Sequence, residues 1–450
     1  MKNMINEKIF KAYDIRGIYP SELNEEAAFA IGRAFARKAK LDYEVEEIVV
    51  GSDMRLSGPQ LKEQLIAGIT SEGLDVVDIG LVSIDATYVC VGKFDFEAAI
   101  MITASHNPAE YNGFKMVLKG MHWVRGIELK NDVLHLPPVD LSITQGTIRQ
   151  ENILEKYITH LLTFVDVKKV KPFKVVVDAG NGMAGKIIPL LEPFLPVQVI
   201  PLNFELDGSF PAHPSNPLLP ESQKEISAKV VSAQADFGVI FDGDTDRLFF
   251  VDEQGNFIRA DVTLLLLAKM FLEKEPGAGI VYNIICSKIV SEKIRDWGGR
   301  PIKSPAGYIN IATNMREQAG IMGGELSAHY SFRDNAYSDS GFIAWLILLQ
   351  LLSEYNKPLS EIVEPFYKYA KNAEINLTVE NIDKKLLAVK NYFNDGQQDF
   401  TDGVTVEYKD WWFNVRPSNT EPLLRITVEA NNEQILVVKT KVVMDIINNS

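Results

Sequence analysis

Cysteine is scarce. Cys90 and Cys286 are the two in 450 residues, without CxxC spacing, so neither a zinc site nor a disulfide framework is indicated. His122, His135, His160 and His213 show no metal-ligand spacing and read as surface or core positions. Basic charge is in deficit: 46 Lys and Arg against 60 Asp and Glu leave a net charge of −14. That excludes broad nucleic-acid binding, which needs a basic face. It leaves room for a small anionic ligand held by a few local donors. The opening "MKNMINEKIFKAYDIRG" has no apolar signal core. The longest apolar run, "GFIAWLILLQLL" at 341–352, is shorter than the roughly 20 residues of a membrane span and reads as a buried helix. These absences indicate a cytoplasmic protein with no membrane or nucleic-acid partner.

What is present is ordinary globular composition, 46% hydrophobic and 24% charged. At about 150 residues per domain the length suggests roughly three domains. Short β-branched apolar runs alternate with helix-like stretches, which predicts α/β architecture. The runs fall into three sets of three: "EEIVVGSD", "LDVVDIGL" and "EAAIMITAS"; "FKVVVDAGNG", "VQVIPLN" and "DFGVIFDGD"; "GIVYNIICS", "RPIKSPAG" and "GIMGGELS". They look like three diverged copies of one unit. A stretch rich in Pro, Gly, Ser and Thr at 136–152 reads as a linker. A composition shift near Tyr369 opens a smaller α+β piece, with strands "EINLTV", "GVTVEYKDWWFNVRP" and "LLRITVEA" and a closing helix from about Glu433. The expected partition is 1–150, 151–254, 255–368 and 369–450.

Each copy's third strand runs into a polar loop, and ligands of open α/β sheets gather beyond the carboxyl ends of strands. In "FDGDTDR", Asp242, Asp244 and Asp246 alternate, which on an extended chain sends three carboxylates to one side. Such a set repels itself unless a hard cation sits among it, and oxygen ligands suit Mg²⁺ or Ca²⁺ over zinc. Arg247 adjoins them and can hold an anionic group; an Asp-Gly surface turn is the plainer reading. In "TASHNP", Ser105 precedes a turn. It reads either as a helix N-cap or as a phosphoryl carrier beside the metal loop. A Ser-His-Asp triad fits poorly, since no GxSxG surrounds the serine and the Ser105 and His106 side chains should diverge on a strand end.

In "GGELSAH", Glu325, Ser327 and His329 alternate; they suit sugar hydroxyls, with His329 able to act as acid or base, or else form a simple bend. In "RPSNTEP", Arg416, Ser418, Asn419 and Thr420, with Arg425 close by, suit a phosphate cradle or a solvated turn. "KAYDIRG" offers Tyr13 and Arg16, and "NGFK" offers Lys115; both look like turn residues, with Lys115 a possible charge clamp for Ser105.

In this order, "YDIRG", "TASHNP…NGFK", "DGDTDR", "GELSAH" and "RPSNTEP" resemble the successive motifs of the α-D-phosphohexomutase superfamily over essentially the whole chain. "GELSAH" with "SNTEP" is most similar to its phosphomannomutase/phosphoglucomutase branch. The resemblance implies three similar α/β/α domains with mixed sheets plus a smaller C-terminal domain, around a central cleft. It implies a phosphoserine at Ser105, with Asp242, Asp244 and Asp246 holding Mg²⁺ together with that phosphate. Glu325 and Ser327 would bind sugar hydroxyls, and the Arg416 loop would bind the substrate's phosphate. Lys115 or His329 would move the proton. The implied reaction interconverts mannose 6-phosphate and mannose 1-phosphate through a hexose 1,6-bisphosphate, which also serves as activator, in a monomer or homodimer. Tyr308, Ala312 and Ile285 depart from the family, which often has His or Lys there, and this bears on sugar preference. Two other readings stand beside it: a haloacid-dehalogenase-like phosphatase with Asp242 as nucleophile, and a non-catalytic sugar-phosphate-binding protein.

Overall fold

A computed structural model describes residues 5–418 and 423–449. They form two compact units, one reaching to Arg259 and adding His329–Ser360, the other taking Ala260–Ala328 and the residues from Glu361 onward. The helix Gly341–Glu354, inside the 255–368 segment of the sequence reading, thus belongs to the first unit.

The predicted repeat is visible in strand order. In the first sheet, Glu47–Ser52 is flanked by parallel Asp75–Leu81 and Ala98–Ile102, and Tyr111–Leu118 then pairs antiparallel with Ala98–Ile102. In the second, Phe173–Asp178 is flanked by parallel Val197–Leu202 and Phe237–Phe241, and Leu248–Val251 returns antiparallel. In the second unit, Gly279–Asn283 lies between parallel Arg300–Ser304 and Gly320–Gly324. The runs that form central strands are buried on both faces, and Ala98–Ile102 and Phe237–Phe241 have no exposed residue, whereas Val197–Leu202 and Arg300–Ser304 are edge strands and partly exposed.

The fourth strand of the first set was not expected. The Asn-Gly of "NGFK" predicts a turn, yet Asn112, Gly113 and Lys115 sit inside Tyr111–Leu118. Gly113 is there because the crossing chain is close: a Cβ would lie 2.2 Å from the Ile15 carbonyl oxygen. Arg16 likewise lies on a strand, Ile15–Ile18, paired with Tyr111–Leu118. The end of the expected linker is also strand, Ile148–Gln150, beside Asp75–Leu81.

The C-terminal piece is an antiparallel sheet, with Leu423–Ala430 between Trp411–Pro417 and the short strands Ala370–Lys371 and Ile375–Thr378. "GVTVEYKDWWFNVRP" is a hairpin of Val404–Glu407 and Trp411–Pro417. Helices Ile382–Tyr392 and Glu433–Asn449 accompany the sheet.

The run at 341–352 is a buried helix as expected. Ser340 caps it, its side chain accepting from the Ile343 amide at 3.2 Å, and also donates to the buried Asp85. Tyr157 donates to the same carboxylate at 2.7 Å. This ties the start of the long helix to the helix Ile84–Lys93. Burial pushes the Asp85 carboxyl up to about 6 despite these hydrogen bonds. The folded chain therefore keeps a proton that the unfolded chain releases near pH 4. The stabilising contribution of this group is complete below about pH 4 and lost as pH rises through about 6, a change of order 3 kcal/mol. Denaturant melts from pH 4 to 7 should show Asp85→Asn lacking that part of the decline. An unchanged profile in the variant would contradict the assignment.

Candidate active site

The first unit gathers Ser105, Lys115, Asp242, Asp244, Asp246, Arg247 and His329. The strand Ala98–Ile102 delivers the serine loop, and Phe237–Phe241 delivers the aspartate loop. Ser105 has a left-handed backbone, φ 50°, and is buried. Its Oγ donates to Asp242 Oδ2 at 2.7 Å and lies 3.5 Å from Asp246 Oδ1. The expectation that Ser105 and His106 diverge fails: the left-handed turn leaves Ser105 Oγ 3.2 Å from His106 Nδ1. Burial holds that imidazole well below its ordinary range, with Arg247 and Arg16 adding to the effect.

The three aspartates converge, though not by strand alternation. Residues 242–247 form the turn between antiparallel strands, with Thr245 at φ 71°. Amides from elsewhere in the unit hold that turn: Ile84 N donates to the Asp244 carbonyl at 3.1 Å, Met183 N to Gly243 at 2.9 Å and Gly341 N to Thr245 at 3.2 Å. One carboxylate oxygen from each of Asp242, Asp244 and Asp246 lies within 4.8 Å of the others, and all three residues are buried.

Lys115 is the nearest cation. Its Nζ donates to Asp244 Oδ2 at 3.0 Å and to Asp246 Oδ2 at 2.5 Å. Thr103 Oγ1 donates to Asp244 Oδ2 at 2.9 Å, and Arg247 N donates to Asp242 Oδ1 at 3.2 Å. Burial, then the two neighbouring carboxylates, pushes Asp242 well above the usual range. Burial acts the same way on Asp246, but Lys115, His329 and Arg247 outweigh it and hold that carboxyl far below.

His329 is oriented from both sides. Arg247 Nε donates to its Nε2 at 3.0 Å, so Nδ1 carries the proton and donates to Asp339 Oδ2 at 2.6 Å. Burial disfavours a second proton, but Asp246 and Asp339 prevail and raise the imidazole's pKa. Taking that proton would break the Arg247 bond. Arg16 bonds Asn107 and Asp14 at the mouth of the serine loop. Tyr13 is half-buried, three residues earlier.

The carboxylate set fits a hard divalent cation. Its donors are all oxygen, and Asp244 Oδ1 is buried with no hydrogen-bond partner among the described residues. Asp246, His329 and Asp339 form a second candidate grouping.

The remaining sequence-predicted residues belong to the second unit. Glu325 is buried and accepts from Gly307 N at 2.5 Å, and Ser327 Oγ lies 3.4 Å from its carboxylate. Arg416 and Arg425 face each other across paired strands, and both bond Glu374, at 2.9 and 3.3 Å. Ser418 N donates to the Leu423 carbonyl at 2.8 Å. Asn419 and Thr420 lie outside the described residues. Tyr308 is half-buried at the start of the helix Tyr308–Glu317, while Ala312 and Ile285 are buried.

Matches to the phosphoglucomutase/phosphomannomutase models cover residues 7–128 (α/β/α domain I), 155–255 (domain II), 259–369 (domain III) and 374–441 (C-terminal domain). The chain belongs to the phosphoglucomutase/phosphomannomutase family. Members of this family are mutases, and the chain is an enzyme of that kind. It is 38% identical to a phosphomannomutase of Salmonella montevideo, over 99% of this chain and 100% of that one. It is 37% identical to a phosphomannomutase/phosphoglucomutase of Pseudomonas aeruginosa, over 95% and 93%. The crystal structure of a phosphoglucomutase/phosphomannomutase family protein from Burkholderia thailandensis superposes with a TM-score of 0.89 at 33% identity, covering 97% of this chain and 96% of that one.

Several residues that shape the site carried no signal in the sequence reading: Thr103, Asp339, Glu374 and Arg55. Asp-x-Arg directly after the apolar strand Glu47–Ser52 is a visible cue for the last.

Lys115→Met removes the cation shared by Asp244 and Asp246. Breaking a buried pair in this way costs about 3–5 kcal/mol. The metal-free variant should melt well below the parent, with added Mg²⁺ recovering part of the difference. Equal melting of both proteins in EDTA would contradict this role.

Proposed function

We propose that this enzyme interconverts mannose 6-phosphate and mannose 1-phosphate, and also acts on glucose phosphates, with Ser105 as the phosphoryl carrier. The observation that carries the reading is the Ser105 hydroxyl 2.7 Å from Asp242, against a buried carboxylate trio whose other two members are bridged by Lys115. A phosphorylated Ser105 brings about two negative charges, so the site needs a cation. Asp242, Asp244 and Asp246 would hold Mg²⁺ with that phosphate, and the ion would supply charge neutralisation.

In the first transfer the Oγ–P bond of phosphoserine breaks and a bond forms from a sugar hydroxyl oxygen to phosphorus. The hydroxyl proton goes to His329 Nε2, which gives up its Arg247 bond to take it, while the departing Ser105 Oγ takes a proton from the Lys115 ammonium, and a hexose 1,6-bisphosphate results. The same bisphosphate, added as activator, recharges the serine. After the sugar turns over, its other phosphate returns to Ser105. Arg247 and Arg16 offset charge beside the loop, and positioning with charge neutralisation does most of the work. Tyr13, Glu325 and Ser327 would contact the sugar. Arg416, Ser418, Asn419, Thr420 and Arg425 would grip the phosphate already present, with Glu374 aligning the two arginines. The four segments 1–150, 151–254, 255–368 and 369–450 would each contribute one polar loop to the reaction. The product would feed nucleotide-sugar (GDP-mannose) synthesis for surface polysaccharide, in the cytoplasm, from a monomer or homodimer.

A ³¹P NMR time course with Mg²⁺ and a trace of glucose 1,6-bisphosphate tests this. Mannose 1-phosphate and glucose 1-phosphate should each convert to the 6-phosphate without free phosphate. Ser105→Ala should lower the rate at least ~1,000-fold. Accumulating inorganic phosphate would favour a phosphatase using Asp242, and full turnover by the alanine variant would rule out a phosphoserine.

A further inference from the structure

We propose that Arg55 is the positioning residue of the serine loop, holding Ser105 Oγ against the aspartate turn without touching the reacting atoms. The inference rests on Ser105 being the phosphoryl carrier. Arg55 follows the strand Glu47–Ser52, and its side chain is completely buried. A buried guanidinium is costly unless its donors are met, and here both terminal nitrogens are hydrogen-bonded, while Nε makes no hydrogen bond and has an ion-pair partner alone. Nη1 donates to the carbonyls of Pro108 at 2.7 Å and Tyr111 at 2.9 Å. Nη2 donates to the carbonyls of Ser105 at 2.8 Å and Asn107 at 2.7 Å. Nε lies 3.4 Å from Asp53 Oδ2, and the guanidinium stacks 5.1 Å from the Phe210 ring. One side chain thus spans the backbone of the whole 105–111 loop.

The clamp reaches the aspartate turn as well. The Ser105 carbonyl also accepts from Ser215 Oγ at 3.2 Å, and Ser215 Oγ accepts from Gly243 N at 3.0 Å. Gly243 is required at this approach: a Cβ would lie 2.9 Å from the Ser105 carbonyl oxygen.

The reaction explains why such a clamp is useful. Ser105 loses and regains about two negative charges per cycle beside three carboxylates. A cation bound to the phosphate would release the loop each time the phosphate left. A guanidinium bound to four backbone carbonyls grips the loop equally in both states. Lysine cannot replace it, because an ammonium has three donors and no planar fork.

Arg55→Lys in the full-length enzyme tests the proposal. It should fold, keep the KM for mannose 1-phosphate within about threefold, and lose ~100-fold in kcat, the scale of an ångström-level misplacement. Hydrogen exchange should quicken at the Asn107 and Tyr111 amides, which donate within the loop. Ser215→Ala, which removes the second donor to the Ser105 carbonyl, should lower kcat in the same sense but less, and it decides the matter if the lysine variant does not fold. A folded Arg55→Lys enzyme with kcat within twofold of the parent, or with a raised KM alone, would overturn the role. If the parent neither takes phosphate onto Ser105 nor isomerises, the proposed function fails instead. Exchange then decides the clamp: faster loop exchange in Arg55→Lys supports it, and unchanged exchange refutes it.

Discussion

Three carboxylates share one buried volume at the end of the strand Phe237–Phe241, and the cation of Lys115 makes that tolerable. Like charges at this spacing raise one another's pKa and would otherwise force protonation or drive the loop apart. Lys115 settles Asp244 and Asp246, while Asp242 is left next to the Ser105 hydroxyl. The serine, the lysine and the aspartates come from three different strands. The site therefore exists only when the first two sheets of this unit are correctly placed. The long apolar helix contributes through its first residue, whose amide holds the aspartate turn, and Ser340 at its cap ties it to Asp85.

The same strand order is used three times with a different polar loop at the end of the third strand. A serine, an acidic turn and a Glu-x-Ser loop thus occupy equivalent places in three copies of one unit. One simple α/β unit can in this way present a hydroxyl, a carboxylate set and a Glu-x-Ser loop without any single copy carrying all three. The C-terminal sheet adds a different kind of element: Arg416 and Arg425 on paired strands, both held by Glu374.

Much of this was legible in the residues. Central strands announced themselves because burial on both faces demands unbroken apolar runs, and the polar ends of those runs marked the loops that matter. Most of the hidden parts share a cause, namely distance along the chain. Tyr111–Leu118 was concealed by an Asn-Gly pair that signals a turn; Gly113 serves instead to let Ile15 pass. The Ser105–His106 geometry escapes the sequence because a left-handed residue cannot be seen in a dipeptide. Arg55 acts on carbonyls about fifty positions away, and Asp339 acts on a histidine ten positions earlier. Neither spacing has a local pattern. Strand alternation points to the acidic triplet, but a turn, with its backbone held by distant amides, is what brings the carboxylates together.

The most direct test of the account is the fate of the phosphoryl group on Ser105. Enzyme charged with ³²P at that serine would be mixed with unlabelled mannose 1-phosphate and Mg²⁺ and quenched within a single turnover. The account predicts label in hexose 1,6-bisphosphate and mannose 6-phosphate, with little inorganic phosphate. Label released as inorganic phosphate, or retained on the protein while isomerisation proceeds, would contradict it.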